Sequence, residues 1–270
     1  MENLSLSETA PVRIAAVGLK ARDARRLSAF YRDVVGLEEM PGRDGAAVLG
    51  AGGRPLLAIE EDAAAVPDDA RQAGLFHTAF LLPSRADLAR WARHALDLRV
   101  PLQGASDHLV SEAIYLADPE GNGIEIYADR PAARWPWEGG QIAMKTLPLD
   151  MDGLLATPRA ERPWAGAPRG TIIGHVHLRV GDPAAAEAWW HEALGLDTMA
   201  RYGRQAVFLA SGGYHHHVGV NAWHSAGAGR RNPAMAGLAW VELQSDGAGQ
   251  ARTLQDPWGT VVRIAPAVQG

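Results

Sequence analysis

The chain has ten histidines and no cysteine among its 270 residues. Without thiolates, any metal must rest on nitrogen and oxygen ligands, and disulfides and cysteine nucleophiles are excluded together. Three of the histidines are consecutive, His215, His216 and His217. On a strand, His215 and His217 would share one face and His216 the other, so one face should look into a site. Imidazole titrates near pH 6.5, roughly, which suits such a cluster to moving protons as well as to ligation. A structural or adventitious metal-binding cluster would have the same composition. His175 and His177 also share one side of a regular strand. His94, His191 and His224 fall on helical or loop segments and read as structural groups.

The elements that must position these residues come from one pattern written four times. The first copy is RIAAVGLKARDARRLSAFYRDVVGLEE from Arg13, and the third is IIGHVHLRVGDPAAAEAWWHEALGLDT from Ile173. The second, GLFHTAFLLPSRADLARWARHALD, starts at Gly74, and a shortened fourth, GLAWVELQ, starts at Gly237. In each full copy a β-branched, partly alternating run predicts a half-buried strand. Asp23 and Asp182 stand where N-caps belong, and Pro183 takes a first-turn position that tolerates it. Leu27, Phe30, Tyr31 and Val34 recur at helical spacing, and Gly36 ends the run. Trp189, Trp190, Leu194 and Gly195 repeat the layout. Shorter strands follow at Ala46–Leu49, Leu56–Ile59, Ala206–Leu209 and Val218–Trp223, and in the second copy at Leu109–Ala117 and Gly123–Tyr127. The unit is β-α-β-β-β.

Composition sets bounds on the class. The formal charge is -5 with both signs interspersed, which argues against a nucleic-acid surface. No run of about 18 apolar residues suggests a membrane span, and MENLSLSETAP lacks the features of a signal peptide, so a cytoplasmic protein is expected. Residues 131–170 are rich in Pro, Gly and Trp and read as an ordered connector, with a short helix over Asp150–Ala156. The expected organisation is an N-terminal domain over 1–130 holding copies one and two, the connector, and a C-terminal domain over 171–270.

The patterns "GHVHLRVGD…AWWHEALGLD", "AFYRDVVGLEE" and "DPEGNGIEIY" resemble the vicinal oxygen chelate superfamily, which includes glyoxalase I, bleomycin-resistance proteins and extradiol ring-cleaving dioxygenases. "GASDHLVSEAIYLADPEGNGIEIYADRP" together with "GYHHHVGVNAW" is most similar to the two-domain catechol 2,3-dioxygenase branch. The resemblance covers nearly the whole chain outside the connector. It implies an α+β fold: four βαβββ modules, the fourth truncated, forming two open cup-shaped mixed β-sheets flanked by helices.

Family members place one metal ligand in the first strand of a module and another in the last. By that correspondence copy one is blank at Ala16, copy two offers His77 and Glu125, copy three offers His175, and copy four has Trp240 and Arg263. Pairing neighbouring copies leaves no cup with a full set. Pairing copy two with copy three gathers His77, Glu125 and His175 into the 2-His-1-carboxylate facial arrangement of non-heme Fe(II) oxygenases. Mn(II) would suit the same ligands. His177 competes with His175, and the "GHV" match favours His175. The resemblance makes His217, then His215, the proton-handling residue, with His108, Tyr115 and Asp107 positioning substrate and Tyr127 orienting Glu125.

The implied activity is insertion of O2 into a catechol-type aromatic diol. The same scaffold also serves glyoxalase-type metal-dependent lyases, which usually carry a second carboxylate missing here, and metal-free small-molecule-binding proteins. Open cups leave strand edges that favour homo-oligomers.

Overall fold

The computed structural model describes residues 5–43 and 45–267. After helix α1 (Leu6–Thr9), copy one supplies β1 (Val12–Ala21), α2 (Ala24–Phe30), β2 (Glu38–Arg43), β3 (Ala46–Ala51) and β4 (Arg54–Glu61). Copy two supplies β5 (Gly74–Leu81), α3 (Arg85–Asp97), β6 (Leu102–Asp107), β7 (Ser111–Ala117) and β8 (Gly123–Asp129). The connector carries β9 (Trp137–Glu138), β10 (Gln141–Ile142), β11 (Leu147–Pro148) and α4 (Met151–Leu155). Copy three gives β12 (Ile172–Arg179), α5 (Pro183–Leu194), β13 (Asp197–Tyr202), β14 (Ala206–Ala210) and β15 (Val218–Asn221). Copy four is cut to β16 (Gly237–Ser245), β17 (Arg252–Gln255) and β18 (Val261–Pro266), with no helix among its described residues.

Local chemistry sets the helix ends. The Asp23 carboxylate accepts from the Arg26 amide, and Asp182 accepts from Ala184 and Ala185 ahead of Pro183. Gly36 and Gly195 close their helices in left-handed conformation. The first helix departs from the expected form, passing at Tyr31–Val35 into a π-helical turn in which the Gly36 amide donates to the Tyr31 carbonyl.

The strands form one seven-stranded and one nine-stranded mixed sheet, besides the β9–β10 hairpin. The first runs β17-β18-β16-β1-β4-β3-β2 and unites copies one and four. The second runs β11-β6-β7-β8-β5-β12-β15-β14-β13 and unites copies two and three. The copies therefore pair across the midpoint, and each sheet draws strands from both halves of the chain. The sequence division at 130 and 171 is not a division between sheets. Antiparallel seams join the partners, β1 to β16 and β5 to β12. One core cluster, including Leu27, Phe80, Trp91, Trp190 and Val241, fills the space between the sheets and helices.

Two segments differ from their expected form. The strand expected from Leu109 begins at Ser111; Gly104–Asp107 belongs to strand β6, and the turn between them is confined to 108–110, where Leu109 adopts a positive φ of 68°. The strand expected over Val218–Trp223 ends at Asn221, and His215–His217 precede it as a turn.

Candidate metal centre

The β5–β12 seam positions the first two candidate ligands. His177 pairs directly with His77, and a bulge between His177 and Leu178 and another between Ile173 and His175 offset the register. β8 lies parallel to β5 on the other side and sets Glu125 beside Ala79. The result brings His77 Nε2 to 3.3 Å from His175 Nε2, with Glu125 Oε2 at 3.1 Å from the first and 3.2 Å from the second. All three side chains are buried. Among the described residues this is the one group of metal-ligating side chains whose donor atoms converge within 4.8 Å.

The set fits a divalent cation. Donors about 2.1 Å from one ion stand about 3.0 Å apart at right angles and about 3.4 Å apart in a tetrahedron. The observed edges lie between these values. The protonation states agree. Burial, only partly offset by Glu125, pushes His175 down to about 4, so at neutral pH its ring offers a lone pair. Burial would raise the Glu125 carboxyl, but His175 and then His77 hold it well below the usual range. Two imidazole nitrogens and a carboxylate oxygen thus meet in a buried spot, and a cation there would be held by all three once the nitrogens face it unprotonated.

Tyr127 touches the centre differently from expectation. Its hydroxyl lies 3.3 Å from His175 Nδ1 and 2.7 Å from the Tyr214 hydroxyl, so it orients the histidine rather than Glu125. The hydroxyl can reach over β12 because residue 174 is glycine; a Cβ there would collide with it.

Above the triad opens a cavity of about 950 Å³. Its floor includes His77, Glu125, Tyr115 and His177, and Phe76, Phe208 and Trp223 make an aromatic wall. Ile142 and Met144 show that the connector forms part of the wall as well as linking the halves. His224, read from sequence as a bystander, lies at the lining too.

His108 and Tyr115, both proposed from sequence, line this cavity and touch. His108 Nδ1 is 2.7 Å from the Lys145 carbonyl, which can only accept, so Nδ1 carries the hydrogen. His108 Nε2 then accepts from the Tyr115 hydroxyl at 2.6 Å. Burial, and after it the Glu125 charge, holds the Tyr115 hydroxyl well above its usual range, so it stays protonated. Asp107 lies outside the lining and is engaged by Arg130 at 2.7 Å and the Leu109 amide at 2.8 Å.

The triple histidine corrects the sequence reading. His217 and His215, expected on the site face, do not line the cavity, and His216 does. Its ring lies 4.0 Å, centre to centre, from that of His175, tilted by 45°. The split of His215 and His217 from His216 is kept, but the site lies on the side of His216; Gly212 and Gly213 turn the chain with positive φ before regular pairing at Val218. His217 is sealed in the interior, where burial lowers it to about 3; its Nε2 has no hydrogen-bond partner. His215 bridges Asp129 and His216. The Gly-Gly pair at 212–213 is the sequence signal that could have marked a turn here.

The model of the Glyoxalase/Bleomycin resistance protein/Dioxygenase superfamily matches residues 13–126 and 172–247. A protein of Bacillus subtilis (strain 168) named catechol-2,3-dioxygenase is 43% identical over 223 residues, 80% of this chain and 75% of that protein. Among solved structures, a putative dioxygenase from Bacillus subtilis superposes with a TM-score of 0.61 at 16% identity, over 95% of this chain and 86% of the other. Glyoxalase I from Zea mays gives 0.55 at 14% identity, over 96% and 94%. At such identities these two structures speak to the fold.

Proposed function

The chain belongs to the Glyoxalase/Bleomycin resistance protein/Dioxygenase superfamily, and from that premise we propose that it is an extradiol dioxygenase that opens a catechol-type ring with O2. The observation that carries the proposal is the convergence of His77, His175 and Glu125, with His77 and Glu125 lining a large, aromatic-walled cavity. The 43% identity to a protein named catechol-2,3-dioxygenase supports it. His77, His175 and Glu125 would hold a single Fe(II), and Mn(II) suits the same donors. A metal ion bound there supplies Lewis acidity that lowers the pKa of a catechol hydroxyl and, as iron, electron transfer to O2.

The chain's own groups do the rest. Phe76, Phe208 and Trp223 offer apolar faces to an aromatic ring and exclude water from it. His216 lines the cavity with its Nδ1 engaged by His215, and in this reading its Nε2 takes a proton from the substrate hydroxyl and returns it later. The protonated Tyr115 hydroxyl, held by His108, positions substrate from the opposite side. His217 lies too deep to share this work. A glyoxalase-type lyase would want a second carboxylate, and among the described residues Glu125 is the one carboxylate that converges on this group.

The test is anaerobic loading with Fe(II), then catechol and air, with oxygen uptake and near-visible absorbance followed together. Oxygen consumption with a yellow ring-opened product is expected. No uptake across a panel of catechols and hydroquinones would sink the proposal.

A further inference from the structure

The buried polar groups behind His216 form a chain that the mechanism above leaves unused. Asp129 Oδ1 lies 2.9 Å from His215 Nε2, and His215 Nδ1 lies 2.9 Å from His216 Nδ1. Trp135 stacks edge-on against His215, 5.2 Å between centres, and Tyr214 lies 4.0 Å away. Both imidazoles are buried, and among the described residues His216 Nε2 has no hydrogen-bond partner. A carboxylate, an internal imidazole and a cavity-facing imidazole therefore stand in line.

Hydrogen-bond bookkeeping along that line has a direction. An ionised carboxylate only accepts, so His215 Nε2 must carry a hydrogen. A neutral His215 then has a bare Nδ1, which must accept from His216. That places the hydrogen of His216 on Nδ1 and leaves its Nε2 as a lone pair facing the cavity. Asp129 thus dictates, two groups away, which nitrogen of His216 is free. The opposite arrangement would set bare His215 Nε2 against the carboxylate, two acceptors at hydrogen-bond distance.

Resting on the dioxygenase reading above, we infer that Asp129 and His215 are positioning residues that lock His216 in the Nε2-unprotonated tautomer, so that it serves as the base for the substrate hydroxyl. The step balances simply. The hydroxyl O–H bond breaks, an N–H bond forms at His216 Nε2, and the imidazolium keeps its Nδ1 hydrogen on His215. The positive charge formed is matched by the carboxylate at the far end of the line. A carboxylate that orients an imidazole through Nδ1 is a known device of hydrolytic triads; here a second imidazole is interposed.

Two measurements test the inference. The first needs no turnover: nitrogen-15 NMR of histidine-labelled, metal-free protein should show His216 protonated at Nδ1 and bare at Nε2. The reverse pattern would overturn the inference, whatever the fate of the dioxygenase assignment. The second uses Fe(II)-loaded variants with catechol. His215→Gln can accept from His216 through its carbonyl and donate to Asp129 through its amide, and kcat should stay within about threefold of the parent. His215→Leu fills similar space without hydrogen bonds, and kcat should fall about 100-fold with KM within about twofold. A leucine variant that keeps its kcat, or a glutamine variant as impaired as the leucine one, would refute the relay.

Discussion

The two sheets share one geometric frame and differ in what stands at three corresponding points. In the nine-stranded sheet His177 pairs with His77, and Glu125 lies beside Ala79. In the seven-stranded sheet Gly18 pairs with Trp240, and Arg263 lies beside Glu242. Trp240 thus takes the place of His77, Arg263 that of Glu125, and Ala16 that of His175. Where one sheet gathers three metal donors, the other stacks the Arg263 guanidinium 4.1 Å over the Trp240 ring, whose Nε1 donates to Glu60 at 2.9 Å. The indole lies over Gly18, where a Cβ would strike it. A duplicated frame makes a centre available, and side chains decide whether it becomes a site or a packing contact.

The difference breaks most completely at the ligands. His175→Ala removes one of three donors and leaves Glu125 beside a single imidazole, so metal content after Fe(II) loading should fall close to zero. Activity should drop by at least about 10³-fold, since little of the chemistry survives without the ion. Arg263→Ala, at the Glu125-equivalent point of the other sheet, should leave both quantities unchanged. Elemental analysis and oxygen uptake on the two proteins decide the matter.

A smaller effect separates neighbours in one turn. His216→Gln should lower kcat by about 10²-fold, the range expected for a lost general base, with metal content intact. His217→Gln should leave kcat within about threefold and act on folding instead. Equal losses in both would mean that the triple histidine works as one unit.

This neighbouring pair also marks how far the sequence was legible. The caps at Asp23, Asp182 and Gly195 were readable because each is a local match between residue type and backbone need. Midpoint pairing and the set His77, Glu125 and His175 were expected by carrying the resembled family's ligand positions onto the four copies, which needs no coordinates. Alternation separated His216 from His215 and His217, but which side meets the cavity was not readable, because the three lie before regular pairing begins at Val218. Nor was the reach of Tyr127 to His175, which depends on the missing Cβ of Gly174 and on two strands distant in sequence.

Acid should tell the sheets apart next. All ten histidines lie outside copies one and four. Burial depresses His217 to about 3 and His175 to about 4, whereas an unfolded histidine titrates near 6.5, roughly. Between those values the unfolded chain binds protons that the folded chain refuses, so stability must fall as pH drops from about 6.5 toward 4. Each of these two groups contributes on the order of 3 kcal/mol to that loss. Denaturant titrations of metal-free protein should show it. Hydrogen exchange at pH 5 should quicken first in β12 and β15, with β1 and β16 still protected. A uniform loss of protection would deny that the two sheets differ in this respect.

The faintest expected signal comes from trying to convert one sheet into the other. Ala16→His, Trp240→His and Arg263→Glu together would copy the donor types into the seven-stranded frame, with Gly18 free of the indole. The copy lacks the supporting groups. Register sets Ala265 where Tyr127 stands in the working sheet and Thr253 where Tyr115 stands. Ala265 brings no hydroxyl and Thr253 brings one on a much shorter side chain than tyrosine's, and missing outer partners cost about 10–100-fold in metal affinity. The triple variant should therefore bind a second metal equivalent more weakly by about that factor, as competition with a chelator would read, and add no oxygen uptake. Equal affinity at both centres would mean that the three donors suffice, and the tyrosines around His175 would then owe their places to packing alone.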